Sequence, residues 1–310
     1  MRRWLAAAFL LPLLLAGCES SGGVKDSPGP VAAWHPPVAP GTTGAVSLDG
    51  RPFQLHVPAG YDPAKKVPLV VLLHGYGSSA AQQERYFNLT PESDRRGFLY
   101  AMPDGTIDRE GKRFWNATEA CCDDYRSGVD DVAYLERLLD TVESVYSVDT
   151  ARVYLVGHSN GGFMAYQMAC ERSTRITAIV SLAGAVDNDT TLCTPQRPVS
   201  VLEIHGTADA TIRFDGGTRG GHPYPSVDTS LATWRHIDGC SAQADTSAPA
   251  LDLEPRLPGA ETGVTIYSVG CRDATSVELW HIRGGGHTPT LNATFGPAVI
   301  DFLYPRLSRP

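Results

Sequence analysis

A short run, Gly157-His158-Ser159-Asn160-Gly161, carries a serine in the pattern Gly-x-Ser-x-Gly. A serine hydroxyl is a weak nucleophile until a base takes its proton. The usual base is a histidine whose ring is oriented by a carboxylate. Two later runs offer those groups: His205-Gly206-Thr207-Ala208-Asp209 and Gly284-Gly285-Gly286-His287. A fourth run, His74-Gly75-Tyr76-Gly77, is a glycine-rich turn whose Tyr76 N–H could donate to a developing oxyanion. Together these residues could perform acyl transfer, with Ser159 as nucleophile, His287 as base and Asp209 as the orienting acid. Rival groups exist. Asp187, Asp189 and Asp215 are acids in loops, and His281 and His222 are further histidines. His158 and His205 are expected to pack or hydrogen-bond locally.

The elements around these runs must hold them in place. Val153–Val156 is apolar and β-branched, and a helical pattern follows Ser159. Strand, sharp turn and helix is the order that lifts a serine hydroxyl clear of a sheet. A side chain at Gly157 or Gly161 would collide across such a turn. Asn160, opening the helix, becomes a second candidate oxyanion donor. Val67–His74, Val199–His205 and Val277–Ile282 read as strands that end at the other three runs. Three glycines before His287 let the chain bend so that its ring can lean over the sheet edge.

Further elements complete the sheet and its covering. Asp49-Gly50 predicts a hairpin between 45–48 and 51–57. The spacing predicts helices over 80–89, 130–146 and 295–303, with Asp130 or Asp131 in the first turn of the second. Strands are expected at 98–102, 176–183 and 264–269. Residues 215–263 are rich in Gly, Pro, Ser and Thr and read as a partly structured insertion near the site, with Trp234 in a short helical patch. Strands alternating with helices imply an α/β fold, a mostly parallel sheet with helices on both faces.

The chain has 310 residues and a net charge of -8, with no basic cluster beyond its first residues, so nucleic acid is not an expected partner. Arg2 and Arg3 precede an apolar core at 4–15, and Leu15-Ala16-Gly17-Cys18 has the form of a bacterial lipobox. Residues 1–18 are therefore expected to be a lipoprotein signal, with Cys18 lipidated and the protein held on a membrane rather than spanning it. Residues 19–43 read as a disordered tether and 44–310 as the catalytic domain. Six further cysteines remain, Cys121, Cys122, Cys170, Cys193, Cys240 and Cys271, which allow fifteen pairings. Export favours their oxidation. The arrangement we adopt is Cys170–Cys193 and Cys240–Cys271, leaving Cys121 and Cys122 as a vicinal pair or as two free thiols. No cysteine spacing suits a metal, and no cofactor is expected.

In combination these motifs resemble a family of secreted α/β-hydrolase esterases. It includes polyhydroxybutyrate depolymerase-like proteins and carbohydrate esterases that act on feruloyl or acetyl groups of xylan. The resemblance runs over about 45–305. Its motifs are Leu-His-Gly-Tyr at 73–76, Phe-Trp-Asn-Ala at 114–117, Cys-Cys-Asp at 121–123 and Val-Asp-Asp-Val at 129–132. They continue with Gly-His-Ser-Asn-Gly-Gly at 157–162, His-Gly-Thr-Ala-Asp at 205–209, Trp234, Asp-Gly-Cys at 238–240 and Gly-Gly-Gly-His at 284–287. The resemblance implies one hydrolase domain, the nucleophile, acid and base at Ser159, Asp209 and His287, and the same two long-range disulfides. Two departures bear on specificity. Tyr76 stands where many relatives have cysteine, and His287-Thr288-Pro289 lacks the aromatic that often follows the base. Trp115, Tyr125, Tyr224 and Trp234 are candidates to line a substrate groove, with packing in the core the equal alternative for each. The competing readings are a serine peptidase on the same fold and a catalytically silent, surface-binding lipoprotein.

Overall fold

The computed structural model describes residues 36–307. In chain order the elements are β1 (Thr42–Val46), β2 (Phe53–Val57), β3 (Val67–Leu73), α1 (Ala80–Phe87), α2 (Thr90–Arg96) and β4 (Leu99–Pro103). A small hairpin, β5 (Thr106–Ile107) and β6 (Arg113–Phe114), precedes α3 (Asp131–Val145), β7 (Val148–His158), α4 (Asn160–Glu171), β8 (Ala178–Leu182) and β9 (Ser200–Gly206). A second hairpin, β10 (Gly217–Arg219) and β11 (His222–Tyr224), leads to α5 (Val227–Asp238), β12 (Thr262–Tyr267), β13 (Val277–Ile282) and α6 (Phe295–Leu303).

Nine strands form the main sheet in the order β1-β2-β4-β3-β7-β8-β9-β13-β12. From β4 to β13 neighbouring strands are parallel, and antiparallel partners close both edges. The alternation along β7 shows how the layers are built. Val153 and Leu155 face one core with Leu135, Met164 and Trp234 of α3, α4 and α5. Tyr154 and Val156 face the other core with Phe87, Phe295 and Val299 of α1 and α6. Successive strand residues point to opposite faces, so a strand covered on both sides is apolar throughout. The expected α/β-hydrolase fold is the one observed. Asp49 and Gly50 take positive φ at the turn of the β1–β2 hairpin, as their residue types predict. Asp130 caps α3 by accepting from Ala133 N–H at 2.8 Å.

The structure adds to the expectations in several places. The tether expected at 19–43 does not extend over 36–43. Val38 is buried, its main chain is bonded in both directions to the Tyr146 hydroxyl at 3.0 Å, and β1 begins at Thr42. One anchoring valine among prolines leaves no periodicity to read. Residues 19–35, the signal region and Cys18 lie outside the described residues. Within 215–263 the helical patch expected at Trp234 is α5, which buries Leu231 and Trp234 in the core against β9 and β13. Finally, α2 and the β5–β6 hairpin have no signal in the periodicity; α2 is a seven-residue helix begun by Thr90-Pro91. Among the described residues three disulfides form: Cys170–Cys193, Cys240–Cys271 and the vicinal Cys121–Cys122. They fit an oxidising compartment outside the cytoplasm.

Candidate active site

The central strand β7 ends at His158, and α4 starts at Asn160, so Ser159 alone makes the turn. Its φ of 53° and ψ of −118° are a backbone conformation that a non-glycine residue rarely adopts. The flanking glycines make this turn possible. A Cβ on Gly157 would lie 2.1 Å from the Gly161 carbonyl oxygen, and one on Gly161 would lie 2.1 Å from that of Leu73. The turn is held by Ser159 N–H donating to Leu182 O at 2.7 Å.

His287 Nε2 lies 2.9 Å from Ser159 Oγ, and His287 Nδ1 lies 2.7 Å from Asp209 Oδ2. Hydroxyl, imidazole and carboxylate thus form one hydrogen-bonded line contributed by three separate loops at the C-terminal edge of the sheet. Asp209 Oδ1 accepts from Thr211 and Ile212 N–H at 2.8 and 2.9 Å. Burial works against charge on Asp209, but His205 and then His287 outweigh it and hold its carboxyl well below the usual range. With the carboxylate ionised, Nδ1 of His287 carries the hydrogen, and Nε2 is left free to accept the serine proton.

The loops of the acid and the base are packed together. Ala208 N–H donates to Gly285 O at 2.9 Å and Thr207 N–H to Ile282 O at 3.0 Å. The segment after the base is tied from behind, by Tyr86 hydroxyl to Pro289 O at 2.7 Å and by Thr290 N–H to the Glu254 carboxylate. His158 Nε2 donates to His287 O at 3.0 Å. Burial pushes the His158 pKa down to about 4, so its ring is neutral at physiological pH. The expected local bonding of His158 is thus directed at the backbone of the base.

Both candidate oxyanion donors sit beside the nucleophile. A Cβ on Gly75 would be 3.5 Å from Ser159 Cβ, so the 74–76 loop lies directly against it. His74 Nε2 accepts from Gly105 N–H at 2.8 Å, which places its hydrogen on Nδ1. Nδ1–H then donates to Gly75 O at 2.8 Å, and Ser78 N–H donates to the same oxygen at 3.1 Å. With that carbonyl fixed, the planar peptide turns the Tyr76 N–H to the opposite side. Asn160 is the first residue of α4, where a main-chain N–H has no partner within its own helix.

The four aromatic candidates do not line an open groove together. Trp115 and Trp234 are 0% exposed and Tyr224 is also buried. Trp234 packs at 6.0 Å from Tyr166. The Tyr224 hydroxyl accepts from Arg213 N–H at 3.0 Å. Tyr125 alone is partly exposed, and its hydroxyl donates to Glu110. Aromatic side chains carry enough apolar area that the core claims them first. Trp115 nevertheless serves the site from beneath: it exchanges hydrogen bonds with Asn160, and its Nε1–H donates to His74 O at 3.0 Å. Three of the rival groups have other partners. Asp189 accepts from Thr191 N–H at the start of a short turn, Asp187 accepts from Asp189 N–H, and His222 lies 3.4 Å from Glu119.

Sequence reasoning missed Glu203. It lies on β9 two residues before His205, and the two side chains share a face and pair at 2.8 Å. An acid and a histidine at that spacing within an apolar strand is the signal that could have found it.

The family model described as "Putative esterase" matches residues 48–269. Feruloyl esterase D of Neurospora crassa is 24% identical over 300 residues, covering 90% of this chain and 86% of its own length. The bifunctional acetylxylan esterase/xylanase XynS20E of Neocallimastix patriciarum is 26% identical over 243 residues, covering 78% of this chain. The matched chain spans only 31% of that larger protein. Among solved structures, the acetyl xylan esterase from Aspergillus awamori superposes with a TM-score of 0.60 at 14% identity, covering 85% of this chain and 99% of its own. At that identity the likeness bears on the fold alone.

Proposed function

We propose how this carboxylic ester hydrolase, which belongs to the esterase family, carries out its reaction. Ser159 Oγ attacks the ester carbonyl carbon while His287 Nε2 takes the hydroxyl proton. Asp209 holds the ring in the tautomer that can accept it and balances the imidazolium that forms. Tyr76 and Asn160 N–H stabilise the oxyanion of the tetrahedral intermediate. The intermediate collapses to an acyl-enzyme as His287 returns its proton to the leaving alcohol. Water, deprotonated by the same ring, then releases the acid and frees Ser159. The observation that carries this reading is the line of contacts at 2.9 and 2.7 Å through His287.

The substrate class we infer is feruloyl or acetyl esters of plant polysaccharide, with polyhydroxyalkanoate as the alternative. The relatives named feruloyl and acetylxylan esterase support the first. The N-terminal sequence supports an exported, lipid-anchored protein with Cys18 as the lipidated residue and the catalytic domain downstream.

Hydrolysis of p-nitrophenyl acetate by wild type and Ser159→Ala tests the nucleophile. The expected loss is at least about a thousandfold, together with loss of fluorophosphonate labelling. Unchanged turnover or labelling would remove Ser159 from its role. A panel of methyl ferulate, acetylated xylan and hydroxybutyrate oligomers ranks the substrates. Cys18→Ala should release the protein from membranes in a fractionated bacterial host, and continued pelleting of the variant would refute the anchor.

A further inference from the structure

Behind Asp209 lies a second ionisable pair that the serine, histidine and aspartate do not account for. Glu203 and His205 are both buried on β9, at 0% and 1% exposure. Glu203 Oε1 is 2.8 Å from His205 Nδ1, and Tyr166 hydroxyl donates to Glu203 Oε2 at 3.1 Å. The other ring nitrogen, His205 Nε2, lies 2.8 Å from Ile212 O and 3.4 Å from Asp209 Oδ2. A carbonyl and an ionised carboxylate can only accept, so Nε2 carries a hydrogen. Nδ1 faces a carboxyl group, so one more proton sits between Glu203 and His205.

We propose that this proton resides on His205, making Glu203 and His205 a carboxylate–imidazolium pair that positions Asp209 and offsets its charge as seen by His287. This deepens the proposed serine mechanism and rests on it. The surroundings favour charge on the ring. Asp209 and Ile212 O face it from the loop after β9, and Glu203 faces it from its own strand. On the neighbouring strands, Ser181 of β8 is in register with Glu203 and His281 of β13 with His205. From α4, Tyr166 reaches Glu203, and the Phe214 ring closes the side at 5.7 Å. The remaining nearby titratable groups are His158, at the end of β7, and His287 itself. Burial disfavours a charged imidazole, yet Asp209 and then Glu203 outweigh it and raise the His205 pKa to about 9.

The consequence concerns the base. A carboxylate raises the proton affinity of an imidazole beside it. A cation on the far side of Asp209 moderates that effect. His205 acts through Asp209 and is a positioning residue.

Glu203→Gln provides a clean test. A glutamine amide can donate to Nδ1 while its oxygen accepts from Tyr166. His205 then keeps Nε2–H toward Asp209 but loses the second proton. The first measurement is nitrogen NMR of the histidine rings. Wild type should show both His205 nitrogens protonated from pH 5.5 to 8, and Glu203→Gln only Nε2. The second is kcat/KM for p-nitrophenyl acetate against pH. The acid limb should move up by about half a unit or more in Glu203→Gln, roughly a threefold loss on that limb.

A neutral His205 ring in wild type, or an acid limb that stays put once the second proton is gone, would overturn the proposal. The wild-type spectrum decides the protonation even where the variant fails to fold. His205→Gln, which retains an N–H donor without charge, should move the limb in the same direction, and no movement would count against the charge effect. Should Ser159→Ala retain activity, the serine mechanism fails, whereas the NMR result on His205 stands independently.

Discussion

Trp115 and Asn160 exchange two hydrogen bonds: Trp115 N–H donates to Asn160 Oδ1 at 2.7 Å, and Asn160 Nδ2 donates to Trp115 O at 2.8 Å. The indole N–H of the same tryptophan holds His74 O. One buried residue therefore fastens the start of α4 to the loop that carries Tyr76. The two candidate oxyanion donors come from distant parts of the sequence, and Trp115 fixes the distance between them.

Asn160→Ala should expose the value of that fastening. The main-chain N–H at 160 remains, but the buried Trp115 N–H loses its partner, at about 1–3 kcal/mol, while Trp115 O keeps the Cys122 N–H at 3.2 Å. Denaturant unfolding should show a loss of that order. Turnover of p-nitrophenyl acetate should fall at least about tenfold, the scale of 1.4 kcal/mol in the barrier. A variant with wild-type kcat would mean that the side chain does not position the donor.

Asp209→Asn should lower kcat by about 10³- to 10⁴-fold with a small change in KM, because an amide can stabilise the wrong imidazole tautomer. Steady-state kinetics at pH 7 check this. A loss smaller than tenfold would pass the role of orienting acid to another carboxylate.

Stability should depend on pH from two sides. Asp209 is depressed by its histidine neighbours, so its contribution is present above the ordinary carboxylate range near pH 4 and is lost as pH falls through and below it. His205 is raised to about 9, so its contribution is full below about pH 6.5, the ordinary histidine value, and is lost as pH climbs toward 9. Thermal unfolding from pH 6 to 9.5 should show an alkaline decline that is smaller in Glu203→Gln. Equal declines in the two proteins would contradict the charge placed on His205.

The disulfides should separate by function. Cys170–Cys193 and Cys240–Cys271 close sequence separations of 23 and 31 residues. Loop-closure entropy predicts about 3–4 kcal/mol from each. The vicinal Cys121–Cys122 closes no loop of that kind. Paired serine replacements at 240 and 271 should lower the unfolding free energy by about 3 kcal/mol, whereas replacements at 121 and 122 should cost well under half as much. The opposite ranking in guanidinium unfolding would reject the entropic account.

The catalytic candidates were legible because each follows a strand and each run has a type that only a few backbones accept. Ser159 lies between two glycines that the turn requires, and Asp209 and His287 follow apolar strands that end together. The aromatic residues left groove and core as alternatives, and Trp115, Tyr224 and Trp234 are drawn into the core by the same apolar area that suggested a groove. Glu203 was hidden because a lone acid in a strand reads as an edge residue until a partner two positions away is recognised. Val38 was hidden because its pairing with Tyr146, made across 108 positions, has no local pattern.

The bonding between the acid and base loops has a practical consequence for engineering. A Cβ on Gly206 would lie 2.2 Å from the Gly285 oxygen, so the two turns meet backbone to backbone with no room for a spacer. They form a single cassette: a designer who wishes to swap in the base from another hydrolase must transplant 206–209 together with 282–287. Exchanging either turn alone would leave a proton acceptor and its carboxylate out of step.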